Sequence, residues 1–294
     1  MSTFVQLILT GLMVGGIYGL VALGFVLIYK ATRIFNFAQG DLLMLGAFFF
    51  WAMLVQARMP LWAGVLLTFA FAIAVGFLLE RAVLRPMLGQ PILSIIMMTL
   101  ALSVFLNGLI TLIWGATWRV YPPFIPARGI SLVGFTLSQQ HLFSFVIALL
   151  AFCAFTLFFQ RSTYGLAMRA TAEDHQVARS LGIKITLIFG LTWAIASLIS
   201  AIGGILLGSI SGINLTLGQI GLKAIPAALI GGLESIAGAI IGGLIMGILE
   251  NLAAGYIDPL VGGGIKEIFP YIILVIVLLF RPHGLFGLKR IERV

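Results

Sequence analysis

The chain has 294 residues, 61% of them hydrophobic and 9% charged, with a formal net charge of +8 and a mean hydropathy of +1.18. A soluble domain needs far more charge to cover its surface, so this composition excludes an ordinary globular enzyme and places most of the chain in lipid or against itself. The basic residues are scattered over short segments between apolar runs, which excludes a nucleic-acid-binding face and fits membrane topology.

Charge-free runs at 1–29, 59–79, 86–118, 129–160 and 185–222 can each hold the roughly 20 apolar residues that cross a bilayer as helix. An outer-membrane barrel would show short alternating segments instead. The pattern predicts an all-α polytopic membrane protein, a single transmembrane domain over 1–294. Helices are expected at 4–29, 42–57, 61–80, 92–114, 139–160, 187–209, 224–234, 237–255 and 268–281. The seventh is too short to cross alone, so the expected number of transmembrane helices is eight to nine.

The first run lacks a basic leader and is followed by Lys30 and Arg33, so it reads as a membrane helix with its N-terminus outside, not as a signal peptide. Its Gly11, Gly15 and Gly19 recur at every fourth residue, as do the pairs Gly238/Gly242 and Gly243/Gly247, a spacing that lets helices approach closely. With the N-terminus outside, the inner segments hold twelve Lys/Arg and the outer ones five: Arg58, Arg119, Arg128, Lys223 and Lys266. That bias puts the C-terminus in the cytoplasm.

The stretch FNFAQGDLLMLGAF, residues 35–48, sets Asn36, Gln39, Gly40 and Asp41 directly ahead of an apolar helix. Its Asn36-x3-Gly40 spacing recurs as Asn214-x3-Gly218-Gln219, a shift of 178 residues that also carries the helices of 4–114 onto those of 187–281. Five helices separate the copies, so the second enters the membrane upside down, and two inverted units are a transporter pattern. Each copy places a polar, Gly-containing segment before a short helix whose N-terminus suits a substrate carboxylate. Two readings follow: Asn36, Gln39, Gly40, Asn214, Gly218 and Gln219 line a substrate pathway, or Asn36 and Gln39 cap a helix and face cytoplasmic water.

The outer segment 115–138 holds three prolines, and its Arg119 and Arg128 suit either an acidic partner surface or lipid headgroups. Cys153 is the one cysteine, so no internal disulfide forms. His141, His175 and His283 do not cluster with carboxylates at metal-ligand spacing, and no metal site or catalytic residue is expected. Glu234 and Glu250 are the carboxylates on which an ion-coupled secondary transporter would depend. No Walker A motif is present, so ATP, if used, is hydrolysed by another polypeptide, and the chain is expected to hold no cofactor.

RSTYGLAMRATAEDHQVARSLGIK, residues 161–184, is the longest inner segment. Its Ala-rich sequence predicts a helix from Leu166 to Leu181 ended by Gly182, with Arg169 and Glu173 as an exposed i,i+4 pair and Asp174 beside it mid-helix. It reads as a solvated amphipathic helix or as a lever on which a cytoplasmic partner docks. Together with FNFAQGDLLMLGAF, the GGLESIAGAIIGGLIMGILE hairpin and the closing LLFRPHGLFG, it resembles the LivH-type permease subunit of branched-chain amino-acid ABC importers over nearly the whole chain. The resemblance implies a permease of the bacterial inner membrane carrying amino acids, branched-chain ones above all, or alternatively urea and short amides. It implies that the loop 161–186 couples to the ATPase through Gly165, Arg169, Glu173, Asp174 and Gly182. The partners it implies are a second homologous permease subunit, two cytoplasmic ATPase subunits and an extracytoplasmic substrate-binding protein.

Overall fold

The computed structural model describes residues 2–125, 129–132 and 135–287. In chain order the helices are α1 (Ser2–Thr32), α2 (Gln39–Trp51), α3 (Leu61–Leu79), α4 (Arg85–Met87) and α5 (Ile92–Trp114). Two short antiparallel strands follow, β1 (Gly129–Leu132) and β2 (Phe135–Ser138), with Gly129 opposite Ser138. Then come α6 (Gln139–Arg161), α7 (Thr163–Glu173), α8 (His175–Ser180), α9 (Ile185–Ser211), α10 (Leu217–Leu222) and α11 (Ala224–Gly231). The chain continues as α12 (Ile236–Tyr256), α13 (Asp258–Val261) and α14 (Ile265–Phe280). α2 and α3 both run on into one π-helical turn, Ala52–Gln56 and Glu80–Leu84.

Seven of the described helices are long and apolar enough to cross a membrane, against the eight to nine expected. The difference lies at the end of the chain: α14 is 16 residues long, and Leu217–Gly231 is a pair of short helices. α3, α5 and α6 bury less than a third of their apolar windows, whereas α1 buries most of its own. Side chains such as Val104 and Leu112 on α5 therefore point outward, as a membrane solvent requires.

The chain divides into two compact units. One comprises 1–26, 125–149 and 223–294, and is built on glycine. A Cβ at Gly11 would lie 2.6 Å from the Gly247 carbonyl oxygen, one at Gly15 2.7 Å from that of Gly243, and one at Gly19 2.9 Å from the Ile240 Cα. Main chain thus touches main chain along α1 and α12, the packing that substitutes for a hydrophobic driving force in lipid. On another face of α12, Gly238 meets the Gly231 carbonyl and Gly242 meets that of Ala227, binding α11 in the same way.

The second unit comprises 27–124 and 150–222. Here α9 packs against both α2 and α3. A Cβ at Gly46 would fall 2.6 Å from the Ala201 Cα, and one at Gly76 2.5 Å from the Trp193 carbonyl oxygen. Trp193, Phe48, Phe50, Leu43 and Met44 fill this core without exposure. α1 contacts α12, and α3 contacts α9, so under the 178-residue shift these two packings are counterparts with partners exchanged.

Candidate functional site

Asn36 and Asn214 build the same turn. Asn36 Oδ1 accepts from the Ala38 N–H at 3.1 Å, its carbonyl from Gln39 N–H at 3.3 Å, and the Ala38 carbonyl from Leu42 N–H at 2.9 Å. Asn214 Oδ1 accepts from Thr216 N–H at 3.1 Å, its carbonyl from Leu217 N–H at 3.2 Å, and the Thr216 carbonyl from Ile220 N–H at 3.1 Å. Each of the three bonds lies 178 residues from its counterpart. The turns come together: a Cβ on Gly40 would run into the Gly218 carbonyl, and one on Gly221 would stand 2.9 Å from the Gly40 Cα. Gly40 and Gly221 are what allow α2 and α10 to meet backbone to backbone.

The two turns differ in what surrounds them. Asn36 and Gln39 are fully buried, so neither faces water, and the residue ahead of α2 is Ala38, which makes no side-chain cap. Gln39 donates to the Ser200 hydroxyl at 2.7 Å and the Ala196 carbonyl at 3.2 Å, and accepts from Asn36 at 3.2 Å. Its amide is therefore spent on α9. Asn214 is half-buried and Gln219 exposed.

Asp41 lies in the first turn of α2, within the membrane span rather than in the loop where the sequence reading placed it. It is buried, and accepts from the Ser103 hydroxyl, with the Asn107 side chain near it. Ser103 and Asn107 belong to a row on α5, Thr99, Ser103, Asn107 and Thr111, one polar residue at every fourth position of a helix whose only other polar side chain is Ser94. Thr99 reaches back to the Phe35 carbonyl at 3.4 Å. The row is absent from the expected site residues because the run 86–118 carries no charge. Its four-residue period was the available signal.

Arg119 is held by its own protein. Its main chain exchanges hydrogen bonds with Ile213 at 2.9 and 2.8 Å, and its guanidinium lies 4.0 Å from the Trp51 ring centre and donates to the Trp114 carbonyl. Its guanidinium is thus engaged within its own chain while half-exposed, and Arg128 lies outside the described residues.

The segment 161–186 folds as two helices, not one. Asp174 leaves α7 with extended backbone at φ −151° and caps α8, accepting from Gln176 N–H at 2.7 Å and Val177 N–H at 3.0 Å. Those two N–H groups hold its carboxyl below the usual aspartate value. Arg169 does not take Glu173 as its partner. It donates to the Phe159 carbonyl and stacks 5.5 Å from the Phe159 ring centre. Gly165 packs on the carbonyls of Phe158 and Phe159, where a side chain would collide, and Ser162 caps α7 by accepting from Gly165 N–H at 2.8 Å. Gly182 has φ +84° and closes α8 as expected. Glu173 is exposed, as are Tyr164, Leu166, Val177 and Leu181.

This arm is fastened to the end of α1. His175 Nε2 donates to the Ala31 carbonyl at 2.9 Å, and the Arg33 guanidinium to that of Ala172 at 3.4 Å. Arg33 itself has φ +59°, a left-handed turn that stops α1 three residues before Asn36.

In the first unit, Lys223 is buried. It pairs with Glu250 at 3.0 Å and Glu267 at 2.9 Å, and the Tyr18 hydroxyl also reaches Glu250. Glu250 is thus charge-compensated inside the protein.

A family model described as a branched-chain amino acid transport system permease component matches residues 7–278. The chain is 33% identical to the high-affinity branched-chain amino acid transport system permease protein BraD of Pseudomonas aeruginosa, over 99% of this chain and 98% of that one. It is 32% identical to LivH of Salmonella typhimurium, described in the same words, with the same coverage. The probable branched-chain amino acid transport permease protein LivH of Methanocaldococcus jannaschii is 29% identical over 94% and 90% of the two chains. A multi-pass membrane chain with this match along its length belongs to the permease-component family of branched-chain amino acid transport systems.

Proposed function

We propose that the chain is the membrane-spanning permease subunit of an ATP-driven importer that carries amino acids, branched-chain ones first, into the cytoplasm. In this reading two separate cytoplasmic ATPase subunits hydrolyse ATP, a second homologous permease completes the path, and an extracytoplasmic binding protein delivers substrate. The chain itself needs no cofactor. It sits in the inner membrane with its N-terminus outside and α7–α8 in the cytoplasm.

The observation that carries the proposal is the arm. α7–α8 exposes Tyr164, Leu166, Val177 and Leu181 together with the carboxylates of Glu173 and Asp174, apolar and acidic surface suited to docking a partner. Its inner side is tied by His175 and Arg33 to the last turn of α1. A push on the arm therefore reaches residues 34–38 and the Asn36 turn through covalent backbone. Gly165, Arg169 and Gly182 keep the arm rigid, and Glu173 and Asp174 belong to its outer face. The repeated turn supports 4–114 and 187–281 as inverted halves that rock about the α2–α10 junction. There Asn36, Gln39, Gly40 and Gly218 form wall, and Asn214 and Gln219 face the path.

Gentle solubilisation of the tagged chain from its own membranes tests this. Two P-loop ATPases and a second permease should copurify, and be lost when 165–182 is scrambled at unchanged expression. Recovery of the chain alone, without ATPases, would refute the arrangement.

A further inference from the structure

We propose that Asp41 receives the ammonium group of the transported amino acid, with Ser103 and Asn107 as the polar contacts beside it. This rests on amino-acid import as the function. The chain buries three carboxylates among its described residues: Asp41, Glu80 and Glu250. Glu80 has Arg85 at 2.9 Å and Glu250 has Lys223 at 3.0 Å. Asp41 has the Ser103 hydroxyl, with Asn107 near it, and no cation among the described residues. An anion in a membrane span without a countercharge is costly, and such residues mark pathways that a charged species visits. The positive end of α2 steadies the carboxylate between visits without neutralising it.

The surroundings fit a passing ligand better than a permanent partner. Ser103 and Asn107 are half-buried, so the carboxylate lies at the edge of the protein interior rather than deep in it. Thr99, Ser103, Asn107 and Thr111 extend the polar surface along α5 on both sides of Asp41, while Leu102 and Leu106 stay buried beside it. A polar track bordered by apolar side chains matches a zwitterion with an aliphatic side chain. Gly40 and Gly218 bring the second turn against the same carboxylate: a Cβ at Gly218 would lie 3.2 Å from Asp41 Oδ1. Rocking at the α2–α10 junction would therefore change the room around Asp41 directly.

The test uses the assembled importer in proteoliposomes with radiolabelled leucine, in a Cys153→Ser background. Asp41→Asn should lower uptake at least tenfold while ATP hydrolysis stimulated by loaded binding protein stays within about twofold of wild type; Asp41→Glu should restore part of the uptake. Asn107→Cys should be modified by the cationic reagent 2-aminoethyl methanethiosulfonate in preference to the anionic 2-sulfonatoethyl reagent. That preference should fall at least fivefold when Asp41→Asn is added, and leucine turnover should slow the cationic reaction. Uptake by Asp41→Asn equal to wild type overturns the proposal, as does an unchanged reagent preference or an equal loss of uptake and ATP hydrolysis. Absence of ATP-dependent leucine uptake by the wild-type assembly would instead strike at the import reading.

Discussion

Gly40 and Lys223 show how single residues carry this fold in opposite ways. Gly40 works by having no side chain, since its Cβ position is occupied by the Gly218 carbonyl. Gly40→Ala should destabilise the protein by about 1–3 kcal/mol, because one carbonyl and one methyl cannot share the space. Gly108, with nothing within 4 Å, should accept Ala without loss. Thermal unfolding in detergent separates the two. Lys223 works by its charge. Removing it leaves Glu250 buried and unpaired, so Lys223→Ala should cost about 3–5 kcal/mol, whereas Lys223→Met with Glu250→Met should recover most of that. A double mutant as unstable as Lys223→Ala would show that the pair does more than neutralise itself. Neither partner was visible in the sequence as such. Glu250 lies 27 residues from Lys223, and only the folding of α11 onto α12 and α14 joins them to Glu267.

At the scale of elements, the long helices were legible because apolar runs end at Pro, Gly and charge. α5 runs from Ile92 to Trp114 as expected, and α6 ends one residue later than expected. The arm was less so. Helix propensity in its Ala-rich stretch hid the break at Asp174, a residue that competes with the helix by bonding nearby N–H groups. Asp41 was hidden by the opposite error: α2 begins at Gln39, before the apolar run, and takes the carboxylate into the span. The Asp174 cap has a pH signature. Its folded carboxyl titrates below the ordinary 3.8, so the contribution is present above that value and lost as pH falls through the depressed one. Hydrogen exchange at Gln176 and Val177 should speed up over that acid range, and Asp174→Ala should show fast exchange throughout. His175→Ala removes the bond from the arm to Ala31. It should cut transport severalfold with the ATPases still bound, a loss of coupling that copurification and uptake together distinguish from loss of docking.

For the whole molecule, two turns with the same hydrogen-bond pattern meet at one place, and an arm fastened to the end of α1 reaches it through five residues of chain, 34–38. The shared Asn-x3-Gly spacing of the two turns was legible in the sequence, but that Gly40 and Gly218 touch was not, since spacing along a chain says nothing of contact across it. In the proposed mechanism, motion of a cytoplasmic engine, passed through α7–α8, opens a path for an amino acid. The most direct measurement is leucine uptake into proteoliposomes holding the whole assembly, with ATP supplied either on the face bearing the arm or on the opposite face, and the binding protein on the other side. Uptake is expected only when ATP and the arm share a side and the binding protein faces them across the membrane. Uptake by this chain alone under a proton gradient, indifferent to ATP, would contradict this mechanism.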